Sequence, residues 1–152
     1  MALTSSFENG APGWRPVNLA NSVTMNVMQN GPGGNAQSGT RYLRARTSQA
    51  GGSVAIDTTY SGLAPVNLAV FAWVRAPGPA VNGTLTIWQL SPGGINNHPD
   101  TPFQAAGNWV LLSNILTIVN PSTGPITVRV EFYINTPNAN LDIDSVVAFA
   151  PQ

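Results

Sequence analysis

The chain has 152 residues and twelve formal charges at neutral pH, six acids and six bases, and every base is arginine because lysine is absent. Zero net charge leaves no cationic footprint for nucleic acid or an anionic membrane, both of which need clustered bases to meet phosphate. The lack of cysteine excludes disulfides, thiolate nucleophiles and zinc-thiolate sites.

With 43% hydrophobic residues the chain can still bury a core, so one domain over residues 1–152 is expected. No stretch approaches the roughly 20 apolar residues of a membrane-spanning helix. The start Met1-Ala2-Leu3-Thr4 lacks the basic and apolar regions of a signal peptide, so export is expected to rely on sequence outside this chain.

Gly and Pro contribute 28 residues (15 and 13), scattered as punctuation that helices would not tolerate. Between them, alternating or β-branched and aromatic segments predict strands near Leu3–Glu8, Ser22–Met28, Arg41–Thr47, Ser53–Tyr60 and Val66–Arg75. Further strands are predicted near Gly83–Leu90, Trp109–Ile118, Ile126–Asn135 and Leu141–Phe149. Turns are expected at Asn30–Asn35, Ala76–Pro79, Ser91–Gly94 and Asn120–Pro125, where fixed φ meets permissive glycine. Nine short strands without an amphipathic helix predict an all-β sandwich or barrel.

Two strands can be read residue by residue. In Ile126–Asn135 the even positions are apolar and the odd ones, Thr127, Arg129, Glu131, Tyr133 and Asn135, are polar or amphipathic. In Leu68–Arg75, burying Leu68, Val70, Ala72 and Val74 turns Phe71, Trp73 and Arg75 outward. The strand Thr84–Leu90 repeats the theme, leaving Thr86 and Trp88 opposite Leu85 and Ile87, so Trp73 and Trp88 are expected to share one surface. Flat aromatic rings beside arginine, acid and tyrosine suit a sugar, whose C–H groups stack on the ring while its hydroxyls pair with the polar groups. A register wrong by one residue would instead send the tryptophans into the core.

The order of short motifs carries a resemblance. Ser6-Phe7-Glu8-Asn9-Gly10 with Gly13-Trp14, Gln37–Leu43, Phe71–Ala76, Gly107–Val110 and Leu141–Val146 together resemble the carbohydrate-binding modules of the 4/9/22 type. The resemblance covers about residues 5–149 and implies a galactose-binding-domain-like jelly roll. It further implies a non-catalytic domain attached to secreted glycoside hydrolases, binding xylan, cellulose or β-glucan in a groove on the concave sheet. The family's groove positions fall here on Asp57 and Glu131, and alternation adds Arg129 and Tyr133. With Trp73, Arg75 and Trp88 these make the expected carbohydrate-binding set. The chain departs from the family at Ala50–Ser53, where members often place an aromatic, and at Ser145, where a second Asp is common.

The same resemblance implies a structural calcium ion held by Glu8 and Asp144, with carbonyls from the Ser38-Gly39 turn. Calcium takes six to eight oxygen ligands, so two carboxylates plus main-chain oxygens form a workable set.

Other chemistries have less support. Asp57 and Glu131 are the one candidate pair of carboxyls for glycoside hydrolysis, but the resemblance assigns them to sugar binding. His98, the single histidine, lies among turn residues with no Gly-x-Ser-x-Gly elbow in the chain. Gly31–Gly34 lacks the lysine of a phosphate loop. Alternation sends Tyr42, Arg44 and Arg46 to one strand face, and Trp14 and Trp109 read as core anchors. A rival of another class is a structural or assembly β-sandwich of a surface or particle protein, using the same face for protein contacts.

Overall fold

Period-two burial runs through Val66–Arg75 and most of Ile126–Ile134, whereas Gly52–Ile56 and Leu141–Asp144 are buried on both faces. The computed structural model describes residues 2–62, 66–90, 97–119 and 124–150. Its strands are β1 (Ala2–Ser5), β2 (Arg15–Pro16), β3 (Val23–Gln29), β4 (Arg41–Thr47), β5 (Gly52–Tyr60) and β6 (Val66–Arg75). They continue as β7 (Val81–Gln89), β8 (Asp100–Ala105), β9 (Val110–Ile118), β10 (Ile126–Ile134) and β11 (Asn140–Phe149), with one short 3-10 turn at Ala20–Ser22.

These strands form two antiparallel sheets. One has the order β3-β4-β11-β6-β9, with β1 added alongside β11; the other has the order β2-β5-β10-β7-β8. Leu68, Val70, Ala72 and Val74 of β6 and Val128, Val130, Phe132 and Ile134 of β10 are all fully buried, so the inner faces of both sheets meet in one core. Trp14 joins that core against Phe7 and Phe132, as expected.

All nine expected strands appear, most within two residues of their predicted ends; the first stops at Ser5 because Phe7 turns the chain at φ 62°. Two strands escaped the sequence reading. β2 is only two residues long, and β8 contains Pro102, which lacks the N–H of a ladder hydrogen bond. Proline is tolerated there because β8 is the edge strand of its sheet. The expected turns at Asn30–Asn35 and Ala76–Pro79 connect β3 to β4 and β6 to β7. The turn at Ser91–Gly94 and residues 120–123 of the turn at Asn120–Pro125 lie outside the described residues.

The last strand organises its sheet. The first half of β11 pairs with β4 and its far half with β1, while β6 runs along both. A bulge between Asp144 and Val147, with Ser145 at φ 51°, separates the halves. Across the first half, Asp142 stands opposite both Arg44 and Arg75. Its carboxylate accepts from Arg44 Nε at 2.8 Å and from Arg75 Nη2 at 2.9 Å, with Asp142 fully buried. Arg75 also donates to the Asn35 carbonyl and lies 4.4 Å from the Trp109 ring centroid.

Candidate functional site

The outer face of the five-stranded sheet gathers most of the expected residues. Outward positions follow from alternation: Ser53, Ala55 and Asp57 on β5, Arg129, Glu131 and Tyr133 on β10, and Thr84, Thr86 and Trp88 on β7. The register fixes their neighbours. Arg129 stands between Asp57 and Trp88, Glu131 between Ala55 and Thr86, and Tyr133 between Ser53 and Thr84. The Glu131 row extends at both ends, to Arg15 beside Ala55 and to Asp100 beside Thr86.

The charges are organised in two groups. Asp57 accepts from Arg129 Nε at 2.7 Å and Nη2 at 3.2 Å, and from Arg15 Nη2 at 2.9 Å. Burial pushes the Asp57 carboxyl up, but the hydrogen bonds from Arg129 and Arg15 outweigh it and hold it below the usual range. Glu131 is 2% exposed and accepts from the Ser53 hydroxyl. Burial, then the negative charge of Glu131, push the Tyr133 phenol up to about 12, so it stays a hydrogen-bond donor at neutral pH.

An open cleft of about 260 Å³ lies at the β7–β8 side, lined by Thr84, Thr86, Trp88, His98, Asp100, Tyr133 and Asn135. Thr86 Oγ1 donates to Asp100 Oδ1 at 2.8 Å, and His98 Nδ1 lies 3.2 Å from the same oxygen. The His98 and Trp88 rings are 4.2 Å apart between centroids. His98 lies in the connection before β8, as a loop residue was expected to, yet it forms a wall of this cleft. Asp100 was missed because β8 was missed, and Arg15 carried no pattern to flag it. Thr86 and Asn135 had the right strand parity.

Trp73 and Arg75 are not on this face, which corrects the expectation that Trp73 and Trp88 share a surface. Both point outward, as alternation required, but from β6 in the six-stranded sheet. The Ala76–Pro79 turn does not close a hairpin; it carries the chain across the sandwich, so outward on β6 and outward on β7 are opposite directions. Arg75 is moreover 8% exposed and committed to Asp142. Tyr42, fully buried, lies beneath Arg75 on the same side, and Trp109 covers that cluster from outside the core, with its Nε1 donating to the Asn35 carbonyl.

Glu8 and Asp144 converge on the segment before β4. Glu8 accepts from the Arg41 and Thr40 amides and the Thr40 hydroxyl, and Asp144 from the Gln37, Ser38 and Ser145 amides. Amide hydrogens, not carbonyls, are what the described turn presents to the carboxylates. Gly39, at φ 68°, lets the chain pass where a Cβ would strike the Glu8 carboxylate. The Arg41 amide, the Thr40 hydroxyl and the Thr40 amide lower the Glu8 carboxyl. Burial, assisted by the Glu8 charge, raises Asp144 against its three amide donors. Two hard-oxygen anions that repel each other fit a calcium ion in donor chemistry. Among the described residues no third His, Cys, Asp or Glu joins them.

This two-sheet antiparallel sandwich matches the jelly-roll fold of solved carbohydrate-binding modules. Among solved structures, the chain is similar to the CBM22-1 xylan-binding domain of Paenibacillus barcinonensis Xyn10C, at 14% identity and TM-score 0.73, over 97% of this chain and 92% of that one. It is also similar to the CBM22-1 and GH10 modules of Clostridium thermocellum xylanase Xyn10B complexed with xylohexaose, at 13% identity and TM-score 0.75, over 99% of this chain and 28% of that one. A third counterpart is TmCBM61 in complex with β-1,4-galactotriose, at 19% identity and TM-score 0.64, over 96% and 94%. No protein-family model and no curated protein matches the sequence.

Proposed function

We propose that this protein is a non-catalytic carbohydrate-binding module that takes a polysaccharide or oligosaccharide of the xylan, β-glucan or cellulose type across the outer face of its five-stranded sheet. The observation that carries the reading is the assembly of Asp57, Trp88, Arg129, Glu131 and Tyr133 on three adjacent strands beside an open cleft. Rings, guanidinium N–H groups and carboxylate oxygens on one sheet face match the alternating apolar and hydroxyl edges of a glycan. The similar solved structures support it, being a xylan-binding domain and complexes with xylohexaose and β-1,4-galactotriose.

A binding role is better supported than hydrolysis. Asp57 is clamped by two arginines, and Glu131 is buried on Ser53, so neither is placed as a free acid or base about a glycosidic bond. We further propose a structural calcium ion held by Glu8 and Asp144, where it would neutralise the repulsion between them and tie the segment before β4 to the last strand. The setting proposed is extracellular, within a larger protein carrying glycoside hydrolase domains. No helix among the described residues is long and apolar enough to cross a membrane.

Affinity gel electrophoresis over xylan, β-glucan, cellulose derivative and mannan tests the reading, with Trp88→Ala and Glu131→Ala as controls whose folding is checked by circular dichroism. Retardation by at least one polymer, lost in Trp88→Ala, is expected; no retardation by any polymer would sink it. A second reading, an assembly domain, draws on exposed Phe71, Leu111, Ile115 and Phe149, which lie on the opposite sheet and not on the cleft face. Size-exclusion chromatography showing a stable oligomer indifferent to glycans would favour it.

A further inference from the structure

The cleft face is electrically polarised along a single register row. Arg15, Ala55, Glu131, Thr86 and Asp100 follow one another across five strands. Four steps of roughly 4.8 Å place Arg15 and Asp100 about 19 Å apart. The β2–β5 end carries Arg15, with Arg129 one row away, and one carboxylate, Asp57, shared between them. The β8 end carries Asp100 and no arginine.

A donor count shows what the basic end still offers. Each guanidinium has five N–H groups in a planar fork. Arg129 commits two of them to Asp57 and Arg15 commits one, and neither donates a hydrogen bond to any other described residue. Seven N–H donors therefore remain at this edge, with the Glu131 charge acting on Arg129 but taking none of them. The Arg15 side chain is 44% exposed, and its Asp57 partner is already spent. Glu131, the nearest further acid in the row, is buried on Ser53. A neutral hydroxyl needs no such concentration of charge-assisted donors, whereas a planar carboxylate is the group that such a fork grips in two places. Asp57 itself demonstrates the fit, taking Arg129 through both oxygens.

Resting on the glycan-binding reading above, we propose that this face selects an acidic polysaccharide, with the carboxylate of a uronic acid residue docked on Arg15 and Arg129. The uncharged part of the chain then lies toward Trp88, Tyr133 and the cleft beside Asp100, where Asp100 accepts from sugar hydroxyls.

The test compares glucuronoxylan and xanthan, each in native form and after chemical reduction of its carboxyl groups to hydroxymethyl, by isothermal titration at low and high salt. Reduction leaves the backbone in place and removes only the charge. Native polymer on at least one backbone is expected to bind about tenfold more tightly than its reduced form, a factor worth about 1.4 kcal/mol. High salt shrinks that ratio by screening the exposed charges, and Arg15→Gln narrows it to less than about twofold. Equal affinity for native and reduced polymers, or tighter binding of the reduced form, overturns the acidic preference and leaves the glycan-binding reading intact. No binding of either form on either backbone overturns both. Dextran sulfate, carboxyl-free, competing as well as the native uronate polymer overturns the assignment to a carboxylate.

Discussion

Trp88 and His98 hold their rings 4.2 Å apart and 36° from parallel at the β8 side of the cleft. The imidazole overlies part of the indole, so the two rings make one wall and neither acts alone. His98→Ala is expected to red-shift the tryptophan emission and to weaken oligosaccharide binding about fivefold, the scale of one lost aromatic contact. Because His98 is on the surface, its removal is expected to move Tm by no more than about 2 °C. A titration with unchanged affinity would show that the wall is not part of the ligand path.

The ion cluster on the opposite sheet gives a contrasting expectation. Asp142 is fully buried between Arg44 and Arg75, and Arg75 is itself nearly buried. Asp142→Asn leaves those guanidiniums without a counter-charge and is expected to cost about 3 kcal/mol or more, lowering Tm by about 6–12 °C in a chain of this size. Asp57→Asn breaks two ion pairs that are partly exposed, and is expected to cost less than about 1 kcal/mol for each. Thermal denaturation of the two variants side by side reads the difference.

Acid sensitivity follows from three carboxylates with different signs. Glu8 and Asp57 lie below their ordinary values of 4.5 and 3.8, so the stability they contribute is complete above those values and is lost as pH falls through their lower folded values. Asp144 lies above 3.8, so it costs stability as pH rises from that value to its higher folded one. Tm is therefore expected to fall below pH 4.5, more gently in Asp57→Asn and more steeply in Asp144→Asn. Calorimetric scans in a pH series check the three slopes.

Calcium is expected to raise Tm, since a ligand that binds only the folded state stabilises it by about 2.7 kcal/mol at a hundred times its dissociation constant. Chelator should reverse the shift and Asp144→Asn should abolish it. A melting temperature indifferent to calcium and chelator alike would remove the ion from the proposal.

The sequence made parity legible, and parity is local. Arg129, Glu131 and Tyr133 point outward because Val128, Val130 and Phe132 point inward, and the pleat alone requires this. The sheet to which each strand belongs is decided by long-range pairing. Trp73 and Trp88 have the same outward sense and fifteen residues of separation, yet the crossing after β6 sets them on opposite sides. The edge strand β8 was hidden by Pro102, and with it Asp100. The resemblance carried by the order of short motifs overcame part of this by putting Asp57 and Glu131 in one groove, but it could not say which lone pairs of Glu8 and Asp144 the turn amides would occupy.

The pairing of β1 with the far half of β11 has a mechanical consequence. Ala2 lies opposite Phe149 and Ser5 opposite Val146, so the two ends of the described chain leave the sandwich side by side. Tension applied between them acts across the strands, along the hydrogen bonds of the antiparallel ladder. Such a load parts the ladder one pair at a time, beginning at Ala2 and Phe149. The domain therefore opens like a zipper under pull, yielding first where β1 meets β11 at the edge away from the cleft face.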